Sequence, residues 1–295
     1  MQVFLQVVES GNFTRAAEAL GLPRSTVSST VQALEDRLGA QLFQRSTRVV
    51  RPTQDGLRLA GRARELVDAM AETEALFRQR PEQIRGALRI DMPGRLASRL
   101  LIPHLHEFRD RHPGITLDLS ATDRLIDLVS EGVDAVIRLA VLEDSDLVCR
   151  RLGEVTMVTV ASPGYLARSG VPQGPGDLGG HLLVNFAQTM PAPVAEWDGR
   201  ARGRPITVAM RSALCVDSAE TYASAALHGH GLVQVPLHGV ADDIAQGRLV
   251  EVLADWRPAP LPLSILYARR RHLPPRLRVF MDWLAGLLRR EGYLA

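Results

Sequence analysis

Arg24, Ser25, Thr26, Ser28, Ser29 and Gln32 stand close together, interrupted by Val27 and Val31. On a helix of about 3.6 residues per turn, the two valines share a side with Leu34 and Leu38. The polar residues take the other side. Side chains of these types can read a nucleic acid. An arginine fork bonds both acceptors of guanine, a glutamine amide matches adenine, and hydroxyls bond phosphate oxygens or base edges. A solvated surface helix would also carry serines, so the reading depends on what holds this helix in place.

The flanking residues supply that support. Residues 2–9 form an apolar-rich helical stretch that stops at Ser10-Gly11-Asn12. Thr14 is placed to cap a second helix, Arg15 to Leu20, whose inward residues are Ala16, Ala17 and Leu20. Gly21 permits a tight turn, and Pro23 stands at a helix entrance, where a missing N–H costs little. The third helix then runs from about Arg24 to Leu38. Two apolar runs around Arg45 to Arg51 follow and predict a small β-hairpin. Arg45, Arg48 and Arg51 on such a wing reach backbone phosphates, and Thr14 and Arg15 at the start of the second helix complete the contact set. Helix, glycine turn, polar-faced helix and basic hairpin, in that order, predict a winged helix-turn-helix over residues 1–53, with the helix-turn-helix at about 13–32 and double-stranded DNA as its partner.

Charge agrees with this division. Residues 1–64 hold nine arginines against five carboxylates, a balance of +4, whereas the whole chain is only +2, so the remainder is −2. A basic head on a near-neutral body fits a DNA reader attached to something else.

From Gln54 to about Gln79 the pattern is one long helix with Thr53 as its cap. Leu59, Ala63, Leu66, Met70, Thr73 and Phe77 recur at alternating spacings of four and three, which predicts a coiled-coil seam, weighed against one helix packing on its own body. We therefore expect residues 54–80 to be a dimerisation helix, with Leu59, Ala63, Leu66, Met70 and Phe77 facing a partner. The stretch Arg80 to Gly86 breaks the periodicity and marks a boundary.

Beyond it, short apolar strands alternate with helical segments: Leu88 to Ile90, Arg95 to Arg109, Ile115 to Leu119, Leu125 to Ser130, Ala135 to Ile137 and Val155 to Val160. Ser162-Pro163-Gly164 interrupts, and a second α/β set follows, ending in a helix from Pro275 to Arg290. Such alternation implies mostly parallel sheets with flanking helices. Ligands of open α/β sheets sit beyond the carboxyl ends of strands, near helix N-termini. That rule selects Pro93, Gly94, Arg95, Ser98, Thr122, Asp123 and Ser218, with Phe186 and Val235 as walls. N–H groups at a helix start, together with Arg95, favour a small organic anion. For Arg138 a structural ion pair with Asp134 is set slightly ahead of ligand contact.

These residues carry a family resemblance. The run Phe13-Thr14-Arg15-Ala16-Ala17-Glu18-Ala19-Leu20-Gly21, then Ser25-Thr26-Val27-Ser28, Leu42-Phe43-Gln44-Arg45 and Pro52-Thr53-Gln54-Asp55-Gly56 resembles the signature of LysR-type transcriptional regulators. Val160 to Leu166 and Gly229 to Pro236 resemble phrases of the same family's effector domain. The resemblance implies a two-lobed, α/β, type-2 periplasmic-binding-protein-like domain over residues 87–295. Lobe I is expected at about 87–161 and 266–295 and lobe II at about 162–265, with crossings near Val160–Ser162 and Leu263–Tyr267. It further implies an antiparallel linker-helix dimer, a homotetramer, and a cytoplasmic regulator with RNA polymerase as an expected partner. Ser29 departs from the Arg or Lys that many members carry. The chain also begins very close to its first helix, so a natural start a few residues upstream is expected.

Other classes fare worse. No GxSxG, HExxH or P-loop is present, His104 and His106 do not share a helix face, and no cofactor or metal is expected. Cys149 and Cys215 form no CxxC; a redox role for Cys215, ahead of a helix start, is weighed against an ordinary small buried side chain. No stretch of about 18 or more apolar residues appears, so no membrane span is expected. A two-lobed solute-binding protein would need an export signal and would not need a basic head. An enzyme with an accessory helix-turn-helix remains the third reading.

Overall fold

Three helices open the chain: α1 (Gln2–Ser10), α2 (Phe13–Leu20) and α3 (Arg24–Leu38). The structure, a computed structural model, describes every residue except 46–49, 76–83, 125, 127, 143–145, 189–190, 270–272 and 295. Asn12, rather than Thr14, caps α2: its Oδ1 accepts from the Thr14 N–H at 2.8 Å and the Arg15 N–H at 3.3 Å. The helix thus starts two residues earlier than the Thr14 hydroxyl suggests, at Phe13. Gly21 closes α2 at φ 63°, a left-handed conformation that a side chain would resist.

Phe4, Val7, Ala16, Ala17, Val27 and Val31 form a shared core with Leu42 and Phe43. Leu38, expected inside, is 47% exposed, because α3 outruns the helices that cover its apolar side. Strands β1 (Phe43–Arg45) and β2 (Val50–Pro52) pair antiparallel as the expected wing. A buried carboxylate fixes the wing to α3: Glu35 Oε1 accepts from the backbone N–H of Leu42 at 2.8 Å and of Phe43 at 3.2 Å. Helix α4 (Gln54–Ala75) starts at Thr53, whose Oγ1 accepts from the Gly56 N–H at 3.0 Å and donates to the Gln41 carbonyl at 2.7 Å.

The expected seam on α4 divides. Ala60 and Ala63 are buried in the same core as Phe4, and Leu59 and Val67 pack against it. Leu66 and Met70 are 62% and 66% exposed. The small Ala63 side chain lets the head's own helices approach, so Leu59 and Ala63 serve an internal contact instead of a partner helix. Phe77 lies outside the described residues. By contact density Met1–Ile84 with Val129–Gly132 form one unit, and Arg85–Leu128 with Val133–Ala295 another.

The second unit holds two lobes. In the first, strands β3 (Gly86–Met92), β4 (Ile115–Ala121), β5 (Ala135–Leu139), β6 (Leu147–Val155) and β14 (Leu261–Ala268) form a sheet in the order β4-β3-β5-β14-β6. Its pairings are parallel among β4, β3 and β5 and antiparallel where β14 and β6 join. Helix α5 (Gly94–Leu96) runs through a widened π-turn, Ala97–Leu101, into α6 (Ile102–Arg111), and the short α7 (Leu128–Glu131) follows β4. The turn precedes Pro103, which has no N–H to return to the Arg99 carbonyl. Phe108 on α6 meets Phe280 and Trp283 of α11 (Pro275–Arg290) at centroid distances of 5.6 and 5.1 Å.

In the second lobe, β7 (Met157–Ala161) lies between β12 (Val233–Pro236) and β13 (Val250–Val252), antiparallel to both. The hairpin of β9 (Glu196–Ala201) and β10 (Arg204–Ala209) and the parallel pair β8 (Asn185–Phe186) and β11 (Cys215–Val216) complete it. This lobe is mainly antiparallel, not mostly parallel as expected. Helices α8 (Pro163–Ser169), α9 (Ala219–Leu227) and α10 (Leu237–Ala245) flank these strands. Ser162-Pro163-Gly164 starts α8 rather than a break: Ser162 Oγ accepts from the Tyr165 N–H at 3.4 Å.

Because β6 and β7 belong to different sheets, the first crossing falls at Thr156, ahead of Val160–Ser162. The second lies between β13 and β14, ahead of Leu263–Tyr267. Lobe boundaries move accordingly, to about residue 156 and to the 253–260 stretch.

Candidate functional site

Two surfaces of this chain can recognise another molecule, one on each unit. On the first, burial of Val27, Val31 and Leu34 turns the opposite face of α3 outward. Arg24, Ser25, Thr26, Ser29 and Gln32 are exposed on it and Ser28 is half-buried. Thr14 and Arg15 are exposed at the start of α2, and Arg51 on β2. Two of these groups are partly engaged: Ser29 Oγ donates to the Thr26 carbonyl at 3.1 Å, and Gln32 Nε2 to Asp36 Oδ1 at 3.0 Å. Arg45 is the last residue of β1, and Arg48 lies outside the described residues. A protruding helix with hydroxyl, amide and guanidinium groups, beside a basic wing, has the shape and donors to enter a major groove.

The second surface is a cavity of about 1190 Å³ between the two lobes of the second unit. Pro93, Arg95, Asp123, Phe186 and Val235 line it; Gly94, Ser98, Thr122 and Ser218 do not. The reasons are local. Thr122 Oγ1 is turned away to donate to Asp91 Oδ2 at 2.9 Å. Ser98 donates to the Arg95 carbonyl at 3.4 Å from an outward position of the π-turn.

Arg95 stands at the cavity edge with its donors engaged. Its Nη1 donates to Glu220 Oε2 at 2.9 Å, and its Nη2 to the Gly239 carbonyl at 2.5 Å. Arg95 follows β3 in the first lobe, whereas Glu220 on α9 and Gly239 on α10 belong to the second. Asp123 makes a parallel link: its Oδ2 accepts from the Ala219 N–H, the first of α9, at 2.8 Å, and its carbonyl accepts from Gln188 Nε2. The positive end of α9 thus already faces a carboxylate. Arg138 pairs with the fully buried Asp91 at 2.5 Å, not with Asp134, and its guanidinium also donates to the carbonyls of Ile137 and Arg124. Asp134 instead meets Arg276 at 3.4 Å and accepts from the Arg89 N–H at 3.0 Å, since it precedes β5 and four residues of strand, about 13 Å, separate it from Arg138.

Sequence reasoning missed several polar cavity residues, among them Asn185, Gln188, Arg200, Gln234 and two tyrosines. Tyr222 on α9 and Tyr293 beyond α11 both line the cavity and are 8% and 6% exposed. Tyr222 lies at an inward position of α9, a signal that reads equally as core. Tyr293 stands in a short tail with no periodicity at all. Burial pushes both phenols up to about 12; the Gln234 N–H against Tyr222 and the Arg95 charge near Tyr293 oppose this only in part. The tail is held by the Tyr293 ring against His238 of α10, at 4.7 Å between centroids.

Comparison with known proteins bears on both surfaces. Residues 1–57 match the family described as bacterial regulatory helix-turn-helix protein, lysR family, and residues 81–289 match the LysR substrate binding domain. An uncharacterized HTH-type transcriptional regulator of Escherichia coli K12, YhjC, is 41% identical, covering 98% of this chain and 97% of its own. The regulator CrgA of Neisseria meningitidis serogroup C is 35% identical over 96% and 94% of the two chains. The solved structure of CrgA from Neisseria meningitidis, described as a LysR-type transcriptional regulator, superposes with a TM-score of 0.63 at 35% identity and 97% coverage of both chains. Full-length AphB, a virulence activator of Vibrio cholerae, superposes with 0.59 at 27% identity, covering 96% and 97%.

Proposed function

The chain belongs to the LysR family of bacterial helix-turn-helix transcriptional regulators, and from that premise we propose how its own residues perform the role. Helix α3 enters the major groove. Arg24 and Gln32 touch base edges, while Ser25, Thr26, Ser28 and Ser29 bond base edges or phosphates. Thr14 and Arg15 hold one phosphate strand from the start of α2, and Arg45, Arg48 and Arg51 hold another from the wing. The observation that carries this is the division of α3 into a buried apolar side and an exposed polar side on one rigid core.

Reading two half-sites requires two copies. Leu66 and Met70, with Phe77 further along, form the contact between partner α4 helices, and second-unit pairing extends the dimer to a homotetramer. Exposed apolar side chains on a long helix support this part. The protein works in the cytoplasm, where it meets operator DNA and RNA polymerase; among the described residues no helix is long and apolar enough to cross a membrane.

The interlobe cavity takes the small-molecule effector. The ligand is a small organic anion that competes with Glu220 for Arg95 and with Asp123 for the α9 N-terminus. Such exchange replaces one carboxylate by another on the same donors, so the cationic groups are never left bare. The test of this reading is operator binding by the purified chain, measured with and without a panel of carboxylates. Sequence-selective binding modulated by one of them supports it, and selective binding that no carboxylate alters removes the anion.

A further inference from the structure

The side-chain donors around the cavity fall into two groups. Arg95, Arg138, Arg200, Asn185, Gln188 and Gln234 line it, and each already donates to an acceptor of this chain. The hydroxyls of Tyr222 and Tyr293 differ. Tyr222 accepts from the Gln234 N–H at 3.0 Å, which leaves its own proton without an acceptor among the described residues. The Tyr293 hydroxyl makes no hydrogen bond among the described residues, although the backbone N–H donates to the Leu288 carbonyl at 2.9 Å. Both residues are more than nine-tenths buried, yet both form part of the cavity wall. Each hydroxyl therefore keeps a proton that can be donated to a ligand oxygen at the cavity wall. Burial holds both phenols in the protonated form, so they are donors across the physiological pH range.

The neighbouring surface has a shape to match. The Phe186 ring lies 5.4 Å from the Tyr222 ring, inclined by 54°, and Phe186 is 38% exposed. Phe186 thus keeps exposed surface in the cavity wall for a ligand ring to pack against edge-to-face or offset, geometries that aromatic pairs favour. Phe186 rides on β8 and Tyr222 on α9, both of the second lobe. Tyr293 extends from α11, which packs on the first. A ligand that engages both hydroxyls is thus held by elements rooted in both lobes.

We propose that Tyr222 and Tyr293 are the specificity-determining donors of this cleft, selecting a ring-bearing ligand by its oxygen acceptors while Phe186 seats the ring. The proposal rests on the reading of the cavity as the effector site, and it does not require the ligand to be charged.

The test uses the full chain and three probes of similar size: benzamide, benzoate and toluene. Binding is followed by ligand-observed NMR and by melting temperature, for the wild type and for Tyr222→Phe, Tyr293→Phe and Ala219→Trp, the last filling the cavity at the first turn of α9. The wild type should bind benzamide and benzoate about tenfold or more tighter than toluene, and each Tyr→Phe change should weaken benzamide about five- to tenfold with little effect on toluene. Equal affinity for toluene, or no benzamide binding at millimolar concentration, overturns the proposal without recourse to any variant. Benzamide binding that Ala219→Trp abolishes but both Tyr→Phe changes spare overturns the tyrosines' role and leaves the cavity as the site. Binding that survives Ala219→Trp lies outside the cavity and removes the effector-site reading as well.

Discussion

Arg95 and Glu220 meet at 2.9 Å across the two lobes of the second unit, and the two ends of this pair differ in burial, at 10% and 58% side-chain exposure. The arginine also holds the Gly239 carbonyl, so it closes the cleft through two bonds, while the glutamate contributes one at the solvent edge.

That asymmetry sets the first prediction. Arg95→Ala should lower the stability of the full chain by about 1.5–3 kcal/mol, since it removes charge-assisted bonds at a buried position. Glu220→Ala should cost under about 1 kcal/mol, the range of exposed ion pairs. Urea unfolding of the two variants checks this, and equal losses would mean that the Gly239 carbonyl bond carries no weight.

A second prediction concerns Gly56 at the start of α4. A Cβ there would sit 2.1 Å from the Leu42 carbonyl oxygen, and backbone cannot yield as a side chain can. Gly56→Ala should destabilise the head by about 1–3 kcal/mol through this overlap. It should also displace the wing, because Leu42 is tied to Glu35 and Thr53. Head melting followed by circular dichroism gives the answer; an unchanged midpoint would show that α4 can back away from Leu42.

Acid should weaken the second unit. Burial lowers the pKa of His181, whose Nδ1 lies 3.3 Å from the Tyr165 hydroxyl, and of His112, which packs on Phe108. The unfolded chain binds these protons near pH 6.5, the folded chain only at lower pH. Stability is therefore fully present above about 6.5 and is lost as pH falls through the lowered folded values. Unfolding midpoints taken from neutral pH to about pH 5 should decline, and His181→Gln should flatten the curve. A wild-type midpoint that holds or rises on acidification would mean that neither imidazole resists protonation in the folded state.

The divided face of α4 gives a fourth prediction. Met70→Glu places a carboxylate among exposed apolar residues that we assign to the partner contact, and dimers should dissociate with loss of operator affinity. The same change at Ala63, which is fully buried in the head, should unfold the head instead. Light scattering and circular dichroism on both variants separate the effects. A Met70→Glu protein of unchanged mass removes Met70 from the interface.

What the sequence made legible follows the range of the interactions involved. Helix α3, the glycine stops of α2 and α3 and the start of α11 at Pro275 are set by neighbours along the chain, and they stand where spacing puts them, whereas α2 begins two residues early, at Phe13. The polar side of α3 was readable because Val27 and Val31 fix its phase. Features set by distant residues were not readable. Ala63 fits a heptad seam as well as it fits the packing against α1, and only the fold decides between them. Arg138 meets Asp91 and not Asp134 because the pairing of β3 with β5 sets Asp91 beside Val136, whereas Asp134 lies four residues, about 13 Å, back along the extended chain. The lobe crossing at Thr156 depends on which sheet claims β7, and Tyr293 enters the cavity from a tail without any pattern.

Every role proposed for the head depends on the reading of DNA sequence by α3. The most direct test of that reading is selection of duplexes from a random pool by the purified wild-type chain and by Arg24→Ala, with affinities then measured at several salt concentrations. The wild type should enrich a two-part site with related half-sites about one helical turn or a multiple apart, bound more weakly as salt rises. Arg24→Ala should lose about 1–3 kcal/mol and relax preference at one base pair in each half. Enrichment of no site by the wild type, or an unchanged preference at every position in Arg24→Ala, would contradict the assignment of α3 as the reading helix.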